Sequence, residues 1–165
     1  MERTCGGPRL IVICGLPGSG KTTAALLLER QLGAIRLSAD DWMSELGINL
    51  WNEAVRARIE SLQWKLTQQL LLAGLIVIVE WGTWGRDERD VLRLGARKLG
   101  AAVELHYLSV PVEVLWERVR QRGMEDPPIS REMLESWYEK FQSPTPEEMA
   151  LFDPPLVTEQ CPESS

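Results

Sequence analysis

The sequence predicts an α/β fold in three layers, a parallel five-stranded sheet of order 2-3-1-4-5 with helices on both faces. Three observations carry this prediction. Short β-branched runs alternate with helix-period segments; a glycine-rich GLPGSGKT stands between the first run and the first helix; and LIVIVE, 75–80, is apolar until its last residue. Such a run is the mark of a central parallel strand covered from both sides. Alternation with short loops puts functional sites at the carboxyl ends of the strands. A chain of 165 residues suffices for one domain with its own core.

The elements follow in order. RLIVIC (9–14) is a short strand stopped by Gly15, and in 21–32 the residues Ala24, Ala25, Leu28 and Leu32 recur at helical spacing before Gly33. AIRLS (34–38) is the second strand. A helix over 52–73 presents Val55, Ile59, Leu62, Leu66 and Leu70 on its buried face, with Trp64 opposite and Gly74 as its stop. The third strand is followed by a helix over 86–99, a fourth strand over 102–108, and a helix from Pro111 to Arg122. MEDPP after Gly123 is not helical. Ser130 reads as the N-cap of a helix that buries Met133, Leu134, Trp137, Tyr138 and Phe141, and Thr145, Pro146 and Glu148 form a second start signal. PLVTE (155–159) reads as a fifth, edge strand, and 160–165 as a flexible tail.

Composition bounds the function. The net charge is −6, but 144–165 holds five acids and no Lys or Arg, so 1–143 carries 18 basic against 19 acidic residues. A nearly neutral body is a poor match for a long phosphate backbone; a short oligonucleotide or a single nucleotide stays open. Cys5, Cys14 and Cys161 show neither disulfide nor zinc spacing, and the N-terminus lacks a signal-peptide layout, which predicts reduced thiols and a cytoplasmic protein. The longest apolar run, 70–79, falls well short of the ~20 residues of a membrane span. Oligomeric state is left open.

Gly15, Gly20, Lys21 and Thr22 satisfy G-x-x-x-x-G-K-[ST] in the required strand-to-helix context. The phosphate cradle is then Gly15, Pro17, Gly18, Ser19, Gly20, Lys21, Thr22 and Thr23: backbone N–H groups surround the β-phosphate, Lys21 supplies charge between the β- and γ-phosphates, and Thr22 offers a hydroxyl to Mg²⁺. The fold class is thus a P-loop NTPase sandwich. The guanine-reading N-K-x-D of a GTPase is absent, since neither Asn49 nor Asn52 precedes a lysine. A nucleotide-binding switch without catalysis stays open.

SADDW (38–42) places Asp40 and Asp41 at the carboxyl end of the second strand, beside the phosphate loop, where an acceptor hydroxyl would arrive. A carboxylate that takes the hydroxyl proton is a recurring part of phosphoryl transfer. Asp40 is read as that base and Asp41 as the cap of a helix starting near Trp42.

GLPGSGKTT, SADDW, LIVIVE and RDERDVLRLGARKLGAAVELHYLSVPVEVLWERVRQRG are similar, in order and spacing, to the phage-type polynucleotide 5′-kinase domain and its small P-loop kinase relatives, including chloramphenicol phosphotransferase and zeta-toxin kinases. The resemblance runs from about Leu10 to Phe141. It implies that Lys21 and Thr22 hold phosphate and Mg²⁺, that Asp40 is the general base, and that Arg118 and Arg122 are lid arginines. Being i and i+4, the two arginines share one helix face, and their forks suit a phosphate whose charge is redistributing; solvation of a helix that carries Glu113 and Glu117 is the competing reading. Gly123 and MEDPP would be the hinge and tip of a lid near 123–129, so that 1–143 is the kinase domain and 144–159 an extension completing it.

The polynucleotide kinases carry an Asp followed two residues later by Asn at the end of the third strand, where this chain has EWGTW. Glu80 can still reach Mg²⁺ through water, but the acceptor-facing surface differs. Seven tryptophans are about three times the usual share. Trp42, Trp51, Trp81 and Trp84 follow strands two and three, so with Asp41 they form either an aromatic substrate pocket or core beneath the helical region. His106 reads as structural, and Arg86, Arg89, Arg93 and Arg97 as a solvated face. The sequence thus predicts an ATP- and Mg²⁺-dependent kinase acting on a hydroxyl of a small molecule, with a polynucleotide 5′-hydroxyl kinase and a nucleotide-driven switch as alternatives.

Overall fold

The computed structural model describes residues 7–156. Its strands are β1 (Arg9–Cys14), β2 (Ile35–Ser38), β3 (Ile76–Gly82) and β4 (Ala102–Tyr107), and its helices are α1 (Lys21–Leu32), α2 (Ala39–Glu45), α3 (Glu53–Leu72), α4 (Arg86–Lys98), α5 (Val112–Arg122), α6 (Arg131–Lys140) and α7 (Pro146–Met149). The sheet is parallel, of order β2-β3-β1-β4. In register, Leu10 lies opposite Val77 and Val103, and Ser38 opposite Glu80.

The period of two sorts the strands onto two faces. Leu10, Val12, Leu37, Val77, Val79, Val103 and Leu105 face Leu71 of α3 and Leu92 and Ala96 of α4. Ile11, Ile13, Ile76 and Ile78 face Ala25 and Leu32 of α1. Each fully buried side chain of this kind contributes ~1.5–3 kcal/mol, which is why β1 and β3, buried on both faces, read as unbroken apolar runs.

The described residues hold four strands, not five. Pro155 and Leu156 are not in a strand, and the remainder of PLVTE, like the predicted tail, lies outside the described residues. The chain nonetheless reaches the β4 edge where a fifth strand was expected. The Asp153 N–H donates to the Val103 carbonyl at 2.7 Å, the Val103 N–H returns to Asp153 Oδ2 at 2.7 Å, and the Leu156 N–H donates to Glu104 Oε1 at 2.8 Å. Glu104 also pairs with Arg9 and lies 2.7 Å from His106 Nε2.

The buried face of α3 is turned by one residue from the predicted one. Ile59, Gln63, Thr67 and Leu71 are buried, Leu62 is exposed, and Trp64 packs against the main core. Gln63 explains the offset: its Nε2 donates to the Ser38 carbonyl at 3.1 Å while its Oε1 accepts from Trp81 Nε1 at 2.6 Å. A polar side chain thereby joins the ends of β2 and β3 with both its groups satisfied, so its burial carries little cost. In α6, Leu134 is buried, but Met133 and Tyr138 are exposed. Among the described residues no helix is long and apolar enough to cross a membrane.

Candidate active site

β1 delivers the chain into loop 15–20. Gly18 and Gly20 hold φ of 83° and 95°, where a side chain is strained. A Cβ on Gly18 would lie 3.0 Å from the Leu115 carbonyl, so α5 packs directly on the loop. Gly20 caps α1 without a side-chain bond, leaving the first amides of a 12-residue helix turned toward the loop. Pro17 is half-buried, Ser19 is buried with no partner for its hydroxyl, and Thr23 is exposed at the helix start.

Lys21 Nζ donates to the Leu16 carbonyl at 2.9 Å. Burial pulls its ammonium down to about 8, Glu80 and Asp40 push it back up, and Arg122 adds to the depression. The ammonium carried by α1 therefore feels charges from α2, β3 and α5.

Thr22 Oγ1 donates to Glu80 Oε1, and Glu80 Oε2 accepts from Arg36 Nη1 at 2.7 Å. A hydroxyl and a carboxylate oxygen side by side suit Mg²⁺, a hard cation that is held by one or two protein oxygens together with phosphate and water. Among the described residues no group of three or more His, Cys, Asp or Glu could hold a metal ion.

The acid pair is organised differently from the prediction. α2 begins at Ala39, not near Trp42, and Ser38 is its cap, with Oγ accepting from the Asp41 N–H at 3.3 Å. Asp41 does not cap; its carboxylate pairs with Arg36. Asp40, half-exposed, pairs with Arg56 of α3. Close by on α3, burial pushes the Glu60 carboxyl up to about 7; Arg56 pulls it down, while Glu88, Glu53 and Asp40 push it up.

The four tryptophans fall into two pairs. Trp42 and Trp81 pack against the main core and against Ala39, Met43 and Ile59. Trp51 and Trp84 instead flank Trp137 of α6, at centroid distances of 6.0 and 5.5 Å, in a cluster with Leu16, Leu115 and Ile129. The two arginines expected on a lid diverge too: Arg118 Nη1 donates to the Gly18 carbonyl at 3.1 Å, whereas Arg122 pairs with Glu125 at 2.5 Å.

The arginine stripe on α4 is not wholly a solvated face. Arg89 is fully buried and forms a bidentate pair with Glu148 of α7, at 2.6 and 3.0 Å. It also donates to the carbonyls of Thr83, Trp84 and Gln142. Thr83 has φ of 45°, a conformation that costs ~1–3 kcal/mol and persists where surroundings impose it; Arg89 is that restraint.

Sequence reading missed Arg36, Arg56 and Glu60. Arg36 left a signal, a charge inside the short strand AIRLS; Arg56 left none, because it meets Asp40 through folding and not through spacing, and neither did Glu60, one turn further along α3.

The chain is similar in structure to a gluconokinase from Sinorhizobium meliloti 1021, with 22% identity, TM-score 0.59, and coverage of 88% of this chain and 80% of that one. It is similar to a sugar kinase from Janibacter sp. HTCC2649, with 26% identity, TM-score 0.64, and coverage of 86% and 82%. A chain of the Pnkp1/Rnl/Hen1 RNA repair complex is 21% identical with TM-score 0.68; the likeness covers 99% of this chain and 53% of that one. No curated protein matches in sequence. The family model described as an AAA domain, AAA_33, matches residues 10–144, and the chain, with its phosphate loop, sheet order and kinase-like fold, belongs to that family.

Proposed function

We propose that the protein is a cytoplasmic P-loop phosphotransferase that moves the γ-phosphate of ATP to a hydroxyl of a small molecule: a nucleoside, a sugar derivative or an antibiotic. The observation that carries the reading is the phosphate loop itself, with Lys21 folded back on the Leu16 carbonyl and Thr22 bonded to Glu80 at the end of β3. The likenesses to a gluconokinase and a sugar kinase support a small acceptor. The likeness to the RNA repair chain keeps a polynucleotide 5′-hydroxyl kinase as the second reading, against which stands the nearly neutral body of the chain.

The kinase domain is 1–143, with 144–159 completing it and 123–129 as its lid. Loop amides and Lys21 hold and orient the β- and γ-phosphates. Thr22 and Glu80 would hold Mg²⁺, which when bound neutralises charge on the phosphate oxygens. Asp40 accepts the acceptor's proton at its carboxylate as the hydroxyl oxygen bonds to the γ-phosphorus and the bond from that phosphorus to the β,γ-bridging oxygen breaks, releasing ADP. Arg118 and Arg122 supply positive charge to the transferring group as the lid closes. On this reading Asp41, Trp42, Trp51, Trp81 and Trp84 are the acceptor-side residues, Trp42 and Trp81 seated on the core and Trp51 and Trp84 on Trp137.

A transfer screen with γ-labelled ATP against hydroxylated metabolites, antibiotics, nucleosides and 5′-hydroxyl oligonucleotides tests the reading and names the acceptor. Asp40→Asn keeps the side chain's shape but cannot take a proton. Transfer should fall by about 10² to 10⁴ while Mg·ATP affinity stays near wild type. Asp41→Asn should cost far less. Transfer at the wild-type rate by Asp40→Asn would sink the base assignment and move the nucleotide switch ahead.

A further inference from the structure

Four hydrogen bonds join the Asp40 carboxylate to the lid, and one arginine makes the first two. Arg56 Nη1 donates to Asp40 Oδ1, and Nη2 of the same guanidinium donates to the Leu50 carbonyl at 2.9 Å. Leu50 lies in loop 46–52, between α2 and α3, and this loop is tied to 123–129. Asn49 Nδ2 donates to the Asp126 carbonyl at 2.8 Å, and Trp51 Nε1 donates to the Pro127 carbonyl at 2.8 Å. A planar fork with both arms engaged is held in one orientation, which a lysine, with one ammonium on a flexible stem, does not reproduce.

We propose that Arg56 is a positioning residue for phosphoryl transfer: it aims the Asp40 carboxylate and, through Leu50, Asn49 and Trp51, makes that aim depend on loop 46–52 being joined to the lid. The proposal rests on the reading of Asp40 as the general base. Its consequence is an order of events. The base is set only once the lid is docked, so attack on the γ-phosphorus before closure is suppressed.

Release of inorganic phosphate from Mg·ATP, with water as the acceptor, tests this together with amide hydrogen exchange on the full chain. Arg56→Gln removes the fork, and Trp51→Phe removes one N–H while keeping a ring on Trp137. Each should lower turnover by about 10- to 100-fold with KM for ATP unchanged, the scale of a misaimed group. The double variant should be no slower than Arg56→Gln, because both cut one chain of contacts. Arg56→Lys should recover part of the turnover. Both single variants should raise exchange in 46–52 and 123–129 together while β1 keeps its protection.

Wild-type turnover in Trp51→Phe overturns the proposal, as does an Arg56→Gln variant that loosens 46–52 but leaves 123–129 protected. A dead Asp40→Asn beside a fully active Arg56→Gln removes the positioning role alone. Unimpaired phosphate release by Asp40→Asn removes the base reading, and the positioning role with it.

Discussion

Lys21 carries its charge at a cost. The folded protein gives up this proton near 8, whereas an unfolded lysine holds it to about 10.4. Between those values the unfolded chain binds more protons, so this group's contribution to stability rises with pH and is least favourable at neutrality. Lys21→Ala should therefore melt at or above the wild-type temperature at pH 7 without nucleotide, yet lose ATP binding. Wild-type affinity for ATP, followed calorimetrically from pH 6.5 to 9.5, should weaken above about 8; affinity that is flat to pH 9.5 would show that the lysine's charge is not what holds the phosphates. At this scale the phosphate loop was legible because its glycines and lysine admit few substitutes. The partners of the two aspartates were not, since each pairing depends on which side chains folding brings alongside.

α7 is a single turn, yet it closes the deepest ion pair described. The expected start signal at Thr145 is present, with its Oγ1 accepting from the Glu148 N–H at 3.2 Å. The Glu148 carboxylate, however, does not return to the cap but runs inward to Arg89. Glu148→Ala strands a buried guanidinium and should cost ~3–5 kcal/mol in urea unfolding, the usual penalty for breaking such a pair. An Arg89→Met, Glu148→Leu double variant should recover only part of this, because Thr83, Trp84 and Gln142 keep carbonyls without their donor. A double variant as stable as wild type would show that the carbonyl contacts contribute nothing. Strand and helix positions were legible to within a few residues from apolar period and caps. The buried faces were less so, since Gln63 stood off the expected apolar face and Arg89 read as solvated, yet both are core residues by virtue of their partners, while Thr67 is buried with its hydroxyl unpartnered.

For the molecule as a whole, Glu60 links stability to pH. Its folded value of about 7 lies above that of an ordinary carboxyl, so the native state binds the extra proton between about 4.3 and 7. Stability from this group is full below that window and is lost as pH rises through 7. Glu60→Gln should leave the melt at pH 4 unchanged and raise the Tm at pH 8 by about 2–4 °C. Equal melts at pH 8 would mean that the carboxyl is not held out of water. The three-layer plan was legible in full apart from the β4 edge, where 153–156 arrives by side-chain and single backbone bonds that no strand period encodes.

Gly95 sits inside α4, where glycine is unfavourable by ~1 kcal/mol relative to alanine. A Cβ there would lie 2.5 Å from Trp64 Cζ2. α3 bears on α4 at this point as a beam bears on a fulcrum, and Arg56 stands eight residues, about 12 Å, along the beam. A bulkier residue at 95 must push the Trp64 ring off its seat, and with it the packing of α3 on α4. Successive replacements by Ala, Ser and Val would then act as a graded dial on that seat, read as a stepwise loss of stability.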